Sequence, residues 1–87
     1  MAKPYRIEFT PRAARDFRVL PKATQRRLAS HIDMLAQKPR PAGVKKLKGS
    51  DDLYRLRVGD YRILYQIKDT ILLVLIIRVA HRKEAYR

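Results

Sequence analysis

Between Leu53 and Ile67 the chain alternates apolar and polar side chains with a single break, and this limits the fold more than any other feature. Leu53, Tyr54, Leu56 and Val58 are apolar, and Arg55 and Arg57 fall between them, so a strand here puts both arginines on one face. Gly59-Asp60 interrupts the run. Tyr61, Ile63, Tyr65 and Ile67 then alternate with Arg62, Leu64 and Gln66. Two such runs around a short turn predict an antiparallel hairpin, whose pairing lets Arg55, Arg57 and Arg62 share one sheet face. Lys68-Asp69-Thr70 makes a second turn, and Ile71 to Ile77 is apolar throughout. A strand apolar on both faces belongs in the middle of a sheet, with each side at least partly covered.

The first half supplies the cover. Tyr5, Ile7 and Phe9 alternate with Arg6 and Glu8, a short first strand. Thr10-Pro11 reads as a helix start, with Thr at the N-cap and Pro at the first helical position. Ala13, Ala14, Phe17 and Leu20 follow at helical spacing, and Arg12, Arg15, Asp16 and Arg18 face out. Pro21 breaks this helix and can itself open a second, in which Leu28, Ile32 and Leu35, flanked by Ala29 and Ala36, form one apolar stripe. Pro39 and Pro41 cannot continue it, so it stops by Lys38. Residues 39–44 are a loop, and Lys45 opens a basic half. The expected fold is α+β in the order β-α-α-β-β-β, an αα-hairpin packed on one face of a small, mostly antiparallel sheet. The other face carries the arginines.

A chain of 87 residues makes one domain, 1–87, with a modest core. Its charge is far from ordinary: 21 Lys+Arg against 8 Asp+Glu give +13. Such a field favours nucleic acid, an acidic protein or an anionic membrane as partner. The absence of cysteine excludes disulfides and thiolate metal sites and is compatible with the cytoplasm. The N-terminal residues lack the apolar core of a signal peptide, and Ile71 to Ile77 is far short of the ~20 apolar residues a membrane span requires. Two histidines fifty positions apart, His31 and His81, form no metal motif, and no glycine-rich phosphate loop is present. No cofactor is expected.

Most polar signals have an ordinary explanation. Arg26 and Arg27 suit a solvated helix face, Tyr54, Tyr61 and Tyr65 suit the core or its rim, and His31 suits an exposed helix position. The arginine face differs, because three cations on one small hairpin repel each other unless an anion or partner offsets them. A basic tail follows, with His81 and Tyr86 beside the cations, and such a set is what gripping or cutting a phosphodiester requires. From residues alone the reading is a protein that binds a polyanion.

Four segments carry a resemblance. They are Lys45-Lys46-Leu47-Lys48-Gly49, Leu53-Tyr54-Arg55-Leu56-Arg57, Asp60-Tyr61-Arg62-Ile63-Leu64-Tyr65, and Val79-Ala80-His81-Arg82-Lys83-Glu84-Ala85-Tyr86-Arg87. Together they resemble the RelE family of bacterial and archaeal toxins over essentially the whole chain. The resemblance implies the toxin of a type II toxin–antitoxin pair, held by an acidic antitoxin protein in a hetero-oligomer. It further implies action in the ribosomal A site, where RelE-type members cleave mRNA without a metal. There the RNA's own 2′-hydroxyl attacks, leaving a 2′,3′-cyclic phosphate and a 5′-hydroxyl.

Residue by residue, the resemblance gives Arg62 the stabilisation of transition-state charge on the phosphate. It gives Arg82 a second share of that role, and Tyr86 proton transfer or base stacking. Arg55 and Arg57 stand where other members carry lysines, and a guanidinium clamps phosphate but is a poor proton shuttle. His81 is a further candidate acid or base, and Lys45, Lys46 and Lys48 resemble a basic loop that holds RNA. Two other readings stay open: a ParE-like inhibitor of DNA gyrase, and a noncatalytic RNA- or ribosome-binding module.

Overall fold

The structure, a computed structural model, describes residues 3–81. Five strands and two α-helices occupy that span: β1 (Arg6–Phe9), α1 (Pro11–Arg18), α2 (Lys22–Met34), β2 (Lys45–Lys46), β3 (Leu53–Val58), β4 (Tyr61–Lys68) and β5 (Leu73–His81). They form two helices on one face of a five-stranded sheet ordered β1-β5-β4-β3-β2. Only β1 and β5 run parallel; the other neighbours are antiparallel. The expected order is present, with one addition: β2, a two-residue strand at the sheet's edge.

Local chemistry explains the boundaries. Thr10 caps α1, its Oγ1 accepting from the Ala13 amide at 3.1 Å, and Pro11 fills the first helical position. Pro21 is the N-cap residue of α2 and has no capping side chain. Gln25 compensates by reaching back, its Nε2 donating to the carbonyls of Arg18 and Leu20 at 3.1 and 3.0 Å. Regular α2 ends at Met34, short of the limit set by the prolines. Its last turn tightens, with the amides of Leu35, Ala36 and Gln37 each bonding three residues back. The Ala36 carbonyl is then taken by the Tyr5 amide at 2.8 Å, which fixes the chain entering β1.

The β3–β4 turn consists of Gly59 and Asp60, between the paired Val58 and Tyr61. Gly59 has φ +59°, as a two-residue hairpin turn with Gly at its first central position requires. The core lies between this hairpin, β5 and the helices. Leu28 and Leu35 from α2 and its cap meet Ile63, Tyr65, Val74 and Ile76 from the sheet, and all six are fully buried. Each aliphatic side chain so buried contributes about 1.5–3 kcal/mol. Ala13 of α1 is also fully buried, its small side chain letting the helix approach the sheet closely.

The ladder between β4 and β5 is irregular at one point. Leu64 pairs with Arg78, but the next residue, Tyr65, pairs with Ile76, so Ile77 is an extra residue in β5. Helix α1 holds this bulge. Thr10 Oγ1 donates to the Ile77 carbonyl at 3.0 Å, and the Val79 amide donates to Asp16 Oδ2 at 3.0 Å.

Candidate functional site

The sheet face away from the helices is built in rows set by strand register. One row runs Arg57, Arg62, Ala80; the next runs Lys45, Arg55, Leu64, Arg78. Arg57 and Arg62 are direct cross-strand partners. Arg55, Arg57 and Arg62 therefore share one face, as the alternation predicted. Like charges placed opposite each other repel, and the row concentrates positive charge on this face.

Within this face, Arg55, Arg62, Leu64, Arg78 and Ala80 surround a cavity of about 40 Å³. That volume holds about two waters. Leu64 and Ala80 contribute its apolar part, and Arg55, Arg62 and Arg78 border it. The Nη1 atom of Arg62 is sealed from solvent. A guanidinium beside apolar side chains interacts with an arriving anion at a lower effective dielectric than one in open water, which strengthens the attraction. Its planar fork also suits a phosphate in two-point contact.

Arg57 stands apart from the cavity. It is exposed at the free outer edge of β3, where it borders a groove shared with His31, Met34, Leu35, Lys38, Pro41 and Ala42. Of the three lysines in the basic loop, only Lys45 belongs to the arginine face, opposite Arg55. Lys46 pairs with Tyr54 and so falls on the helix side of the sheet, and Lys48 lies in the exposed turn after β2.

His81 lies on the other face of the sheet from Arg55 and Arg62. It pairs with Tyr61 at the end of β5, and the two rings meet edge to face with centroids 5.4 Å apart. Register puts both on the helix side, where His81 borders a hollow with Asp16, Val19, Leu20 and Arg78. Arg82 and Tyr86 lie outside the described residues.

Sequence reading missed Arg78. Its Nε donates to Asp16 Oδ2 at 3.2 Å, which ties β5 to α1. The only sequence signal is a cation closing an apolar run. Among the described residues no group of three or more His, Cys, Asp or Glu is arranged to hold a metal ion.

A polar tie outside the cavity holds the loop that leads to Lys45. Tyr65 Oη donates to the Pro39 carbonyl at 2.8 Å. Arg40 lies over the Tyr54 ring, 5.3 Å from its centroid, and donates to Tyr54 Oη and to Asp69. Asp69 also accepts from Tyr5 Oη. The Arg40 and Tyr5 hydrogen bonds hold the Asp69 carboxyl below its ordinary value, and the bond to Asp69 pushes the Tyr5 phenol up. Burial pushes the Tyr65 phenol well above its ordinary range. These groups fasten the β4–β5 turn, the N-terminal strand and the loop together at the end of the sheet opposite the Gly59 turn.

Comparison with known proteins bears on this geometry. The sequence model of the family described as "ParE toxin of type II toxin-antitoxin system, parDE" matches residues 7–86. Toxin RelG of Mycobacterium tuberculosis is 35% identical over 88 residues, covering 97% of this chain and 98% of its own. The chain belongs to the RelE family of toxins. Its fold agrees: RelE in the archaeal RelE–RelB complex from Pyrococcus horikoshii OT3 superposes with a TM-score of 0.82 at 33% identity. That match covers 94% of this chain and 99% of the other. Another relative, the mRNA interferase toxin RelE of Escherichia coli K12, is 30% identical over 83 residues, 93% of this chain and 86% of its own. This RelE-family toxin thus has the α+β architecture that its sequence implied, and its arginine-bordered cavity lies on the uncovered sheet face.

Proposed function

We propose that this toxin is a ribosome-dependent mRNA endonuclease, held in check by an acidic antitoxin. The observation that carries the reading is the convergence of Arg55 and Arg62, with Arg78, on one small cavity of a chain with net charge +13. Support comes also from the relative named an mRNA interferase and from RelE–RelB complexes among similar structures.

In the reaction, the 2′-hydroxyl oxygen of a nucleotide bonds to the adjacent phosphorus and the bond to the 5′-oxygen breaks. The products are a 2′,3′-cyclic phosphate and a 5′-hydroxyl. One proton leaves the 2′-hydroxyl and one is gained by the departing 5′-oxygen. Arg62, at the cavity's border, offers its donors to the phosphate as charge builds there, and Arg82 adds a second cation. Stabilisation of this kind acts in the transition state more than in the ground state. Arg55 grips the strand, Arg57 and Lys45 extend the positive face to either side, and Lys46 and Lys48 add charge beyond its edge.

The arginines stay charged near neutral pH, so proton transfer falls to Tyr86 or His81. His81 packs edge-on against Tyr61 on the helix side, away from the cavity, which favours Tyr86 as the base or positioning residue. The ribosome positions the mRNA over the face, so cutting of naked RNA is slight.

The test is cleavage of mRNA on programmed ribosomes, with RNA ends mapped, beside a supercoiling assay with DNA gyrase. Wild type should cut, and Arg62→Ala should cut about 100-fold more slowly or worse, as when one oriented donor is removed. Its thermal stability should remain near wild type. Undiminished cutting by folded Arg62→Ala overturns the assignment. Inhibition of gyrase without RNA cleavage transfers the protein to the ParE reading, which the description of the matching family model keeps in view. Activity in neither assay leaves a noncatalytic binding module.

A further inference from the structure

Arg78 follows an apolar run and falls in none of the motifs that identify the family, yet it lines the same cavity as Arg55 and Arg62. We propose that Arg78 is a further substrate-binding residue of the arginine face, and that Asp16 is the positioning residue that aims it. The inference rests on reading this face as an RNA-binding site.

Three observations converge on it. The first is the bulge. Val74 and Ile76 point into the core, and strict alternation would send residue 78 the same way. The extra Ile77 reverses the parity, so Val79 enters the core and Arg78 joins Leu64 on the open face. The second is the carboxylate. Asp16 is only 12% exposed at its side chain, and its Oδ2 accepts from both the Arg78 Nε and the Val79 amide. With Nε engaged, the remaining donors of the guanidinium are those on its two terminal nitrogens, set in a fixed plane. The third is separation. Arg62 pairs with Ala80 and Leu64 with Arg78, so Arg62 and Arg78 are diagonal neighbours on adjacent strands, roughly 7–8 Å apart at the backbone. A strand whose reacting phosphate sits at Arg62 can present a neighbouring phosphate to Arg78.

Joining α1 to β5 does not by itself require Arg78. The Thr10–Ile77 and Asp16–Val79 bonds already make that connection. What the cation adds is a residue that borders both the cavity and the hollow at Asp16, with its terminal nitrogens still able to donate. Because the contacted phosphate does not react, the contact has similar strength in the ground and transition states and acts on KM rather than kcat.

The experiment compares wild type, Arg78→Ala, Arg78→Lys, Asp16→Asn and the Arg78→Ala/Asp16→Asn double variant by two readouts. One is kcat and KM for cleavage on programmed ribosomes. The other is binding of a short fluorescein-labelled single-stranded RNA across a salt series, which needs no catalysis. Arg78→Ala should raise KM about tenfold, the scale of one charge-assisted hydrogen bond. Its kcat should stay within about threefold of wild type, unlike the effect expected for Arg62→Ala. The slope of log affinity against log salt should flatten by about 0.7, the signature of one lost phosphate contact on a single strand.

Arg78→Lys should recover the slope but only part of the affinity, since an ammonium lacks the fork. Asp16→Asn should raise KM by less, and should add nothing in the Arg78→Ala background. An unchanged salt slope in Arg78→Ala, even with a lowered Tm, overturns the proposal, as does a fall in kcat at constant KM. Additive effects in the double variant overturn the part assigned to Asp16. If wild type binds RNA with a steep slope but cuts nothing, the proposed function fails while the slope of Arg78→Ala still decides this proposal. If wild type binds no RNA, both fail.

Discussion

Replacing Tyr65 with Phe deletes one oxygen from the middle of the sheet and makes a test of how the loop before β2 is held. Tyr65 is fully buried, and its hydroxyl donates to the Pro39 carbonyl at 2.8 Å. Losing such a bond costs about 1 kcal/mol net, and more if the carbonyl finds no water. For a domain of this size that lowers Tm by about 5 °C. The pH dependence carries a second, independent number. Burial raises the phenol's pKa above the ordinary 10.0, so the folded chain keeps a proton that the unfolded chain gives up. The stabilisation from Tyr65 is therefore complete below pH ~10 and falls by about 1.4 kcal/mol per pH unit as pH rises from there toward the folded pKa. An advantage of about 1 kcal/mol should thus vanish near pH ~11. The assay is urea unfolding of wild type and Tyr65→Phe at fixed pH values from neutral to strongly alkaline, the difference cancelling every other titrating group. Equal stability at neutral pH would refute the hydrogen-bond argument, and a difference that stays constant through the alkaline range would refute the burial argument.

Two further expectations concern the periphery. Arg40, then Tyr5, hold the Asp69 carboxyl below the ordinary 3.8, so its contribution is present above that value and is lost as pH falls through the depressed folded value. Asp69→Asn should therefore flatten the acid limb of a Tm-against-pH curve, and an unchanged limb would show that the tie is not thermodynamically felt. Gly59→Ala should destabilise the hairpin by about 1 kcal/mol or more, because the turn needs φ +59° and a Cβ would meet the Arg27 guanidinium at 3.0–3.2 Å. Repeating the substitution in an Arg27→Ala background should recover only the steric part, read by chemical unfolding.

The sequence carried the helix cap at Thr10, the hairpin and the shared face of Arg55, Arg57 and Arg62, because each follows from a local rule. The period of two fixes which side chains share a face once the turn at Gly59-Asp60 is recognised. What it could not carry was β5. A run apolar on both faces has no internal phase, so nothing in Leu73 to Ile77 reveals a bulge held by Thr10 and Asp16, which lie far back in the chain. That one inserted residue exchanges the places of two polar side chains. It sends Arg78 to the open face and His81 to the helix side against Tyr61, so the histidine was a candidate and the arginine was not. The basic loop shows the same limit: Lys45 and Lys46 look equivalent in sequence, and only the pairing of β2 with β3 separates them. Arg27 is exposed, as a solvated helix charge should be, and what sequence could not show is that its guanidinium also lies beside the Gly59 turn.

The position of β5 bears on when the toxin becomes complete during its own synthesis. It is the last strand of the sheet in chain order and the one that joins the sheet's two halves, pairing β1 on one side and β4 on the other. Thr10 finds its carbonyl at Ile77, 67 positions later, so the first strand and helix emerge long before the partner that fixes them. Until β5 is added, the core lacks Val74, Ile76 and Val79, and the cavity lacks Arg78 and Ala80. Contacts this distant form slowly and late. Most of the chain is therefore made before the arginine face can exist in folded form, so the segments that precede β5 spend an interval outside the finished sheet.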